Sequence, residues 1–471
     1  MNHYDLCIIG SGPAGTRAAI QAAKLGKRAC IVERKTVVGG AGVNTGTIPS
    51  KALREAILRA GGHVSATPLV QDFLEARNAT FRAIQAAADR VIEAEIRILQ
   101  QQLSSNGVSV ITGHARFADP HTVEIAGPTG SQRIAADHFI IAVGTVPARP
   151  PSIPFDDRTV VTSDELVRLP FLPHSMLVVG GGVIGVEYAS MLSALGVKVT
   201  LIEGRTRLLD FADGEIIEAL QYHLRQNGLT LRLGEKVVSV RTIEAPPGAR
   251  SADRVMVEAV LESGKTLRAD CLLYAIGRQG ATDDLGLEHA GLKPDSRGRI
   301  AVDEHYRTPV PHIYACGDVI GFPALASTSM EQGRLAVCQM FGERCDVVSG
   351  HLPYGIYAIP EISMVGWTEE ALTEQEIPYE SGVAQYREIA RGQLLGDEIG
   401  MLKMLIHQDS RAILGVHIIG TGATELVHIG QCAMAFNATA DYFVNAVFNY
   451  PTLAECYKVA AHNGINKLRG V

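Results

Sequence analysis

Short apolar runs that end in glycine-rich turns mark the beginning of the chain. The run Tyr4 to Ile9 leads into the turn Gly10 to Gly15, a helical stretch through Lys27 and a second apolar run, Ala29 to Glu33. A strand, a glycine turn, a helix and a second strand in this order are typical of a βαβ unit. The pattern therefore predicts such a unit at residues 4–33.

The same pattern returns in the middle of the chain. Met176 to Val179 precedes the turn Gly180 to Gly185, and Val199 to Glu203 supplies the second apolar run. Each turn reads G-x-G-x-x-G, follows an apolar run and opens a helix. Two units of this kind predict two dinucleotide sites.

The pattern between and after these units predicts how they are connected. Residues 69–105 carry apolar positions at helical spacing, which predicts one long amphipathic helix that packs as a scaffold. Pro147 to Pro151 mark a linker into the second unit. An apolar run from Cys271 to Ile276 predicts the return towards the first unit, which is completed near Ile313 to Asp318.

The last part of the chain has a different pattern. Strands are predicted at 401–407 and 412–419 and helices at 423–436 and 453–468, which indicates a separate α+β domain. We therefore predict an α/β protein with two Rossmann-like dinucleotide-binding domains and a C-terminal α+β domain. The predicted limits are 1–147 for the first part of the first dinucleotide-binding domain, 148–276 for the second, 277–349 for the return to the first, and 350–471 for the C-terminal domain.

The composition is that of an ordinary globular protein. Of 471 residues, 46% are hydrophobic and 20% charged, and the formal net charge of -7 offers no footprint for nucleic acid or an anionic membrane. The apolar run from Met176 to Val186 is shorter than the about 20 residues that cross a bilayer. We therefore expect a cytoplasmic protein with neither nucleic acid nor membrane as a partner. The eight cysteines show no C-x-x-C or zinc-ligand spacing, so we expect small buried side chains and no metal site.

The glycine turns carry the chemistry of a nucleotide site. Glycines let the backbone approach a pyrophosphate, and a helix N-terminus offers unsatisfied N–H groups to it. An acid at the end of the second strand accepts a hydrogen bond from a ribose hydroxyl. A tight turn without a ligand is the alternative. The residues that predict nucleotide sites are Gly10, Gly12, Gly15 and Glu33 in the first unit and Gly180, Gly182, Gly185 and Glu203 in the second.

The segment Gly39 to Lys51 reads G-G-A-G-V-N-T-G-T-I-P-S-K. It resembles the redox-disulfide loop of the pyridine nucleotide-disulfide oxidoreductases, G-G-x-C-x-N-x-G-C-I-P-S-K, in which two thiols carry electrons from the flavin to a disulfide. Gly42 and Thr47 stand at the two cysteine positions, and neither can supply the thiolate that thiol–disulfide exchange needs. The chemistry is therefore expected to stop at the flavin.

The resemblance covers essentially the whole chain, and the segment Thr308 to Asp318 is similar to the second flavin signature of the family. It implies FAD in the first unit, NAD or NADP in the second, and a C-terminal domain that forms a homodimer or a higher homo-oligomer. The implied FAD contacts are Gly10, Gly12, Gly15, Glu33, Gly42, Lys51, Ala115, Gly144, Asp318, Ala324, Leu325, Ala326 and Ser327. The implied NAD(P) contacts are Gly180, Gly182, Gly185, Glu187, Glu203, Arg205, Val237 and Gly277.

Two charged residues match a pair that the family places beside the flavin. Lys51 matches the lysine next to flavin N5, and Glu187 matches the acid that pairs with it. A cation at that position favours added electron density on the ring through electrostatic preorganisation. The alternatives are a solvated lysine on a helix face and an ordinary surface acid.

The end of the second unit bears on the choice between NAD and NADP. Glu203 favours NAD, because a carboxylate accepts from a 2′-hydroxyl and repels a 2′-phosphate. Arg205 and Arg207 follow closely, and either guanidinium could pair with a 2′-phosphate, although surface ion pairing or solvation is the alternative for each. If the phosphate role holds, one site could serve both nucleotides.

The segment Phe448 to Glu455 is a second departure from the disulfide reductases. They carry H-P-T-x-x-E, where His acts as acid–base for the thiols, Glu orients it, and the partner subunit supplies both. Here Tyr450 replaces that His while Glu455 remains, and a phenol is a poor base near neutral pH. Thiol activation is lost together with the thiols, with interface packing as the alternative role of both residues.

These departures resemble the soluble, energy-independent transhydrogenase branch of the family. The resemblance implies that a hydride passes from NADPH to NAD+ through FAD in a ping-pong reaction, with Lys51, Glu187, Tyr450 and Glu455 at the reaction site. Two alternatives stay open. One is an NAD(P)H diaphorase or quinone reductase that uses the same flavin, and the other is a non-enzymatic scaffold that binds FAD.

Overall fold

The computed structural model describes residues 2–60, 70–128, 130–245, 255–345 and 350–470. The first part of the chain forms a sheet with helices on it, and its second strand is buried along its whole length, as expected for a parallel strand covered on both faces. Its elements are β1 (Asn2–Ile9), α1 (Pro13–Lys24), β2 (Ala29–Glu33), α2 (Gly40–Asn44), α3 (Thr47–Arg59), α4 (Val70–Ser105), β3 (Ser109–Thr112), β4 (His114–Asp119), β5 (Thr122–Gly127), β6 (Gly130–Ile141) and β7 (Thr145–Pro147).

The strand order of this first sheet is β3-β2-β1-β6-β5-β4. β1 pairs in parallel with both β2 and β6, with Leu6 opposite Ala29 and His138, whereas β4, β5 and β6 pair antiparallel. Because β1 and β2 are parallel neighbours joined by α1, the βαβ unit predicted at the start of the chain is confirmed. The predicted long helix is α4, described from Val70.

The second unit has its own parallel sheet, in the order β11-β10-β9-β15-β8, and an antiparallel sheet of three strands, β12-β13-β14. The antiparallel sheet was not predicted, because its short strands carry no glycine punctuation. The elements are β8 (Val160–Val161), α5 (Ser163–Leu166), β9 (Ser175–Val179), α6 (Val183–Ala194), β10 (Lys198–Glu203), α7 (Gly214–Gln226), β11 (Thr230–Leu233), β12 (Val237–Glu244), β13 (Val255–Leu261), β14 (Thr266–Ala269) and β15 (Cys271–Tyr274).

The chain then returns to the first sheet, as predicted. β16 (Arg278–Gly280) pairs antiparallel with β7, and β17 (Ile313–Ala315) pairs in parallel with the end of β6. The helix α8 (Ala326–Met340) follows and packs closely on α1, since a Cβ at Gly333 would lie 2.2 Å from the carbonyl oxygen of Ala14. This close packing fixes the start of α8 beside the first glycine turn.

The C-terminal part is a five-stranded antiparallel sheet in the order β18-β19-β22-β21-β20, with helices packed on it. The α/β architecture with two parallel sheets and a C-terminal α+β region is thus confirmed, while the exact domain limits stay predictions. The elements are β18 (Tyr354–Ile356), β19 (Ile362–Gly366), α9 (Glu369–Glu374), β20 (Tyr379–Gln385), α10 (Ala390–Leu395), β21 (Met401–His407), β22 (Ile413–Ile419), α11 (Ala423–Ala435), α12 (Ala440–Asn445) and α13 (Glu455–Leu468).

The cysteines depart from expectation at one place. Cys338 and Cys345 form a disulfide, because the turn after α8 brings Cys345 back onto the last turn of that helix. The expectation of a small buried side chain holds for Cys338, which is 1% exposed, but was wrong for Cys345, which is partly exposed. It holds for the remaining cysteines except Cys432, which is exposed.

Among the described residues, none of the helices combines the length and the apolar character that crossing a membrane requires.

Candidate functional site

A cavity of about 1060 Å³ is lined by segments from every part of the fold. The turn between β1 and α1, the Gly39–Lys51 loop, α6, the start of α8, β18 and α11 all contribute to its wall. A large cavity where several segments converge is the default candidate for a binding site. The predicted FAD contacts that line it are Gly10, Gly12, Glu33, Gly42, Lys51, Ala115, Gly144, Asp318, Ala324, Leu325, Ala326 and Ser327.

The first glycine turn presents bare backbone to this cavity. A Cβ at Gly12 would meet no atom closer than 4.0 Å, so a ligand can approach the backbone there. Gly12 is also the N-cap residue of α1. No side chain among the described residues makes a capping hydrogen bond there, so the first N–H groups of α1 can bind an anion. Gly15 does not line the cavity. It packs against the turn instead, because a Cβ at Gly15 would lie 2.0 Å from the carbonyl oxygen of Gly10. Its role is the close packing of helix on turn.

Glu33 lies at the carboxyl end of β2 and is almost fully buried. Its Oε2 accepts hydrogen bonds from the backbone N–H of Ser11 at 3.0 Å and from Ser11 Oγ at 2.6 Å. Its Oε1 accepts one from the backbone N–H of Lys35 at 2.9 Å. These bonds hold the carboxylate at the cavity wall, where it can accept a further bond from a ribose hydroxyl. The bare turn and this acid together fit the adenosine pyrophosphate part of FAD.

Lys51 and Glu187 form an ion pair that joins the two nucleotide units across the cavity. Lys51 Nζ lies 2.8 Å from both carboxylate oxygens of Glu187, although the residues are far apart in sequence. Tyr357 supports both partners, because its N–H donates to Glu187 Oε1 at 2.9 Å and its ring lies 4.8 Å from Lys51 Nζ. A buried carboxylate needs such a partner, and the pair places a cation in the cavity wall.

The loop at Gly39–Lys51 is intact but carries no thiol. Gly42 lies in α2 and Thr47 begins α3, and both line the cavity. Among the described residues, Cys316 is the one cysteine in the cavity wall. Its Sγ donates to the carbonyl oxygen of Gln332 at 3.6 Å, and burial raises the pKa of the Cys316 thiol far above its ordinary value. As far as the described residues go, the cavity wall therefore holds no dithiol, and its one thiol stays protonated.

Asp318 and the start of α8 close another side of the cavity. Asp318 Oδ2 accepts a hydrogen bond from Thr145 Oγ1 at 3.3 Å, and Gly317 donates its N–H to Gln332 Oε1 at 2.8 Å. Thr145 in turn accepts from Arg278, whose Nε lies 2.8 Å from Thr145 Oγ1. Asp318 is thus held at the wall by a chain of hydrogen bonds that begins at the return strand β16.

The glycines of the second turn do not line this cavity, although Val183 and Ile184 of the same turn do. The predicted NAD(P) contacts other than Glu187 also lie outside it. A Cβ at Gly182 would meet no atom within 4 Å, and Gly182 gives α6 no side-chain cap within the described part of the chain. Glu203 ends β10, and its Oε2 accepts from the N–H of Gly181 at 2.6 Å. Val237 is the first residue of β12, and Gly277 precedes β16.

Arg205 folds back onto the acid at this second turn. Its Nε lies 3.0 Å from Glu203 Oε1 and its Nη2 lies 3.1 Å from Glu203 Oε2, and it also pairs with Asp210. Burial opposes ionisation of Glu203, but Arg205 and the N–H of Gly181 hold the pKa of that carboxyl below its ordinary value. Arg207 points elsewhere, with Nη1 2.8 Å from Glu370 of α9. Of these two arginines, Arg205 is the one that contacts Glu203.

Tyr450 and Glu455 lie in the C-terminal region and do not line the cavity. Tyr450 is 68% exposed. Glu455 begins α13, and its Oε2 is buried without a hydrogen-bond partner among the described residues. Within one chain, these two residues are not brought to the remaining site residues.

One acidic cluster has the spacing of a metal site among the described residues, and it is formed by Asp213, Glu215 and Glu369. Lys403 Nζ occupies its centre, 2.9 Å from Asp213 Oδ1 and 2.9 Å from Glu215 Oε2. It also pairs with Glu369, and its side chain is completely buried. The cluster is therefore an ammonium site that ties α7 and α9 to the C-terminal sheet.

Ser11, Tyr357 and Arg278 support the site and were missed in the sequence. A polar residue inside the glycine turn could have signalled a partner for Glu33. Tyr357 and Arg278 come from segments far from their partners, and no local pattern announces those contacts.

The chain matches two family models in consecutive segments. Residues 4–333 match the pyridine nucleotide-disulphide oxidoreductase model, and residues 352–461 match the dimerisation domain of the same family. A soluble pyridine nucleotide transhydrogenase of Mycobacterium tuberculosis is 50% identical over 473 residues, covering 100% of this chain and 99% of the relative. The soluble pyridine nucleotide transhydrogenase of Marinobacter nauticus is 44% identical and covers 99% of each chain.

Solved structures show the same fold. The HOCl-induced flavoprotein disulfide reductase RclA from Escherichia coli superposes with a TM-score of 0.86 at 27% identity, covering 98% of this chain and 99% of that one. LpdA from Mycobacterium tuberculosis superposes with a TM-score of 0.85 at 25% identity and the same coverage.

Proposed function

The chain belongs to the pyridine nucleotide-disulphide oxidoreductase family, and from this premise we propose that it is an FAD-dependent transhydrogenase that moves a hydride from NADPH to NAD+. One observation carries the proposal. The Lys51–Glu187 pair is intact at the cavity, while Gly42 and Thr47 occupy the loop positions at which a disulfide reductase carries its thiols. A flavin held there can exchange hydride with nicotinamide nucleotides but has no thiol to pass electrons to.

The cavity wall supplies the groups that would hold FAD. The N–H groups at the start of α1, next to Gly12, would bind the pyrophosphate, and Glu33 would accept from the adenosine ribose. Asp318 would bind the ribityl chain. Lys51 would place its charge beside the ring position that takes up hydride. When bound, FAD would supply the ring that accepts a hydride from NADPH and gives it to NAD+.

The second glycine turn would hold both nicotinamide nucleotides in succession. The N–H groups at the start of α6 would bind the pyrophosphate, and Glu203 would accept from the 2′-hydroxyl of NAD(H). For NADP(H), Arg205 would turn from Glu203 to the 2′-phosphate and offset the repulsion of the carboxylate. The position of Arg205 on the ribose-binding acid supports one site for both substrates.

The net reaction, NADPH + NAD+ giving NADP+ + NADH, neither takes up nor releases a proton. A residue that acts as acid and base for thiols is therefore unnecessary, so the proposed reaction is compatible with Tyr450 at the position of the His. Glu187 and Lys51 need only orient the nucleotides and hold the positive charge of Lys51 in a fixed place beside the ring.

A homodimer formed through the C-terminal domain is part of the proposal, with Tyr450 and Glu455 reaching the flavin of the other chain. The match to a dimerisation domain supports a homo-oligomer. Apolar side chains exposed on the same region support this contact, among them Phe436, Tyr442 and Val447. We also propose the cytoplasm as the location, supported by the description of the relatives as soluble.

The test is a steady-state assay with the purified protein, NADPH and an NAD+ analogue whose reduced form absorbs at a separate wavelength. Turnover of the analogue is expected, and dihydrolipoamide and glutathione disulfide are expected to give none. Efficient reduction of quinones without turnover of the analogue would identify a diaphorase. A flavin that neither NADPH nor NADH reduces would identify a scaffold.

A further inference from the structure

Three polar atoms are buried in the cavity wall without a hydrogen-bond partner among the described residues, namely Tyr188 Oη, Asp164 Oδ1 and Tyr354 Oη. Tyr188 is only 2% exposed. More than about 90% of buried polar groups in proteins have a partner, and leaving one unpaired costs about 1–3 kcal/mol. These atoms therefore indicate a partner that is not among the described residues, and a ligand in the cavity would supply it.

Two tyrosines buried away from the cavity do not share this feature. Tyr386 donates its hydroxyl to the carbonyl oxygen of Thr421 at 3.2 Å. Tyr457 donates to the carbonyl oxygen of Leu426 at 2.7 Å. Neither of these tyrosines lines the cavity. The fold thus satisfies these two tyrosine hydroxyls away from the cavity, whereas the hydroxyls of Tyr188 and Tyr354 in the cavity wall have no partner among the described residues.

Tyr188 lies between residues at opposite ends of the proposed flavin contacts. It follows Glu187 on α6, which places it next to the Lys51 ion pair. Its hydroxyl is close enough to Asp164 and Arg278 for both charges to act on it. Burial raises the pKa of Tyr188, Glu187 and Asp164 raise it further, and Arg278 lowers it.

Arg278 continues this line to the other end of the cavity. It donates to Thr145 Oγ1 at 2.8 Å and to the carbonyl oxygen of Thr145 at 2.9 Å. Thr145 Oγ1 donates to Asp318 at 3.3 Å. A strip of polar groups therefore runs along the wall from Asp318 to Lys51, and Tyr188 and Asp164 are its unpaired members. All of these residues line the same cavity, so one bound ligand can contact them.

We propose that Tyr188 is a flavin-contacting residue whose hydroxyl forms a hydrogen bond with bound FAD between the ribityl chain and the ring edge at Lys51, and that Asp164 supports the same contact. This proposal rests on the proposed function only in that FAD fills the cavity. It adds a specific contact on α6, the helix that also begins at the second glycine turn. The contact would tie the position of the nicotinamide-binding unit to the bound flavin.

The experiment uses Tyr188→Phe, which removes the hydroxyl and keeps the ring. FAD is removed from the purified protein, and the dissociation constant is measured by titrating FAD back and following its fluorescence, with no nicotinamide nucleotide present. Loss of one hydrogen bond is expected to raise the dissociation constant about tenfold. The visible spectrum and the midpoint potential of the bound flavin are expected to shift as well, because one ring-side partner is lost. Asp164→Asn is expected to change the same quantities in a smaller measure.

Tyr386→Phe is the matched control, since it removes an equally buried hydroxyl outside the cavity. It is expected to lower the melting temperature and to leave the FAD dissociation constant and the flavin spectrum unchanged. A Tyr188→Phe protein with wild-type affinity, spectrum and potential would overturn the inference even though the wild type binds FAD. A wild-type protein that binds no FAD would overturn the proposed function instead, so the two failures are distinguishable.

Discussion

The two glycine turns of this chain have nearly the same backbone and different surroundings. Gly10 and Gly180 have φ values of +106° and +113°, and a Cβ at Gly15 or Gly185 would lie 2.0 or 1.8 Å from the carbonyl oxygen of the first glycine. Gly10 and Gly12 of the first turn line the large cavity, whereas the glycines of the second turn do not and only Val183 and Ile184 beside them reach its wall. The same local geometry can thus serve a resident cofactor in an enclosed site and a nucleotide that must leave after each turnover.

The acids at the two turns, Glu33 and Glu203, differ in whether a charged side chain pairs with them. Glu33 is held by Ser11 and the backbone, and neither partner carries a charge. Glu203 instead carries the guanidinium of Arg205. A resident cofactor always presents the same ribose, whereas a site for two nucleotides would meet a 2′-hydroxyl or a 2′-phosphate, and a cation beside the acid would suit both.

The largest expected effect separates the two turns directly. Gly15→Ala would force a methyl group onto the backbone of Gly10, and a displacement that costs about 3 kcal/mol weakens FAD binding about a hundredfold. The variant should be purified without flavin and without activity. Gly185→Ala makes the equivalent clash at Gly180 and should keep its flavin while losing nicotinamide nucleotide binding. Flavin absorbance and nucleotide titration measure both; loss of flavin from both variants would refute separate roles for the turns.

Lys51 belongs to the first unit and contacts the second, so its removal tests the link between them. Lys51→Met should lower the rate of flavin reduction by NADPH about a hundredfold, because a preorganised charge at the ring is lost, while FAD stays bound. Rapid-mixing absorbance gives this rate. Lys27→Met is the control, because Lys27 also lies 4.8 Å from an aromatic ring, that of Phe341, but outside the cavity. A similar loss of rate in both variants would contradict the role of Lys51.

Lys403 anchors the second unit to the C-terminal sheet, and in the first unit Arg54 of α3 forms a buried ion pair with Glu361, just before β19 of that sheet. Lys403→Met leaves Asp213 buried without its cation, which should cost about 3–5 kcal/mol of unfolding free energy. Denaturant unfolding measures this cost, with the exposed Lys265→Met as the control. A loss below about 1 kcal/mol would show that the cluster is not an anchor.

The cluster around Lys403 also makes the unfolding free energy depend on pH in the acid range. Burial opposes ionisation of Asp213, but His417 and Lys403 hold its pKa below the ordinary carboxyl value. The stability it contributes is therefore present above the unfolded pKa of about 3.9 and is lost as the pH falls through the lower folded value. Wild-type unfolding free energy should fall in this acid range more steeply than that of Lys403→Met.

The smallest expected effect concerns the choice of nucleotide. Arg205→Gln should raise the KM for NADPH about tenfold, which is the value of one charge-assisted hydrogen bond to an exposed phosphate. The KM for NAD+ should stay within about twofold and serves as the internal control. An equal change in KM for both nucleotides would show that Arg205 does not recognise the 2′-phosphate.

The glycine-rich turns made the fold predictable from the sequence, because each turn lies between an apolar strand and a helix. The contact of Lys51 with Glu187 was predictable only through the family resemblance, because the two residues lie in different units. Tyr188 and Asp164 carry no local signal, and their importance depends on which atoms the folded chain leaves unpaired. The Cys338–Cys345 bond was missed for a related reason, since a spacing of seven residues is not a motif.

The central claim is that hydride passes between two nicotinamide nucleotides without a protein thiol. An anaerobic double-mixing experiment on the FAD-loaded protein, with and without prior alkylation by iodoacetamide, tests it most directly. NADPH should bleach the flavin absorbance and NAD+ should then restore it, at rates that alkylation does not change. The account would be contradicted if NAD+ failed to restore the absorbance, or if alkylation stopped either step.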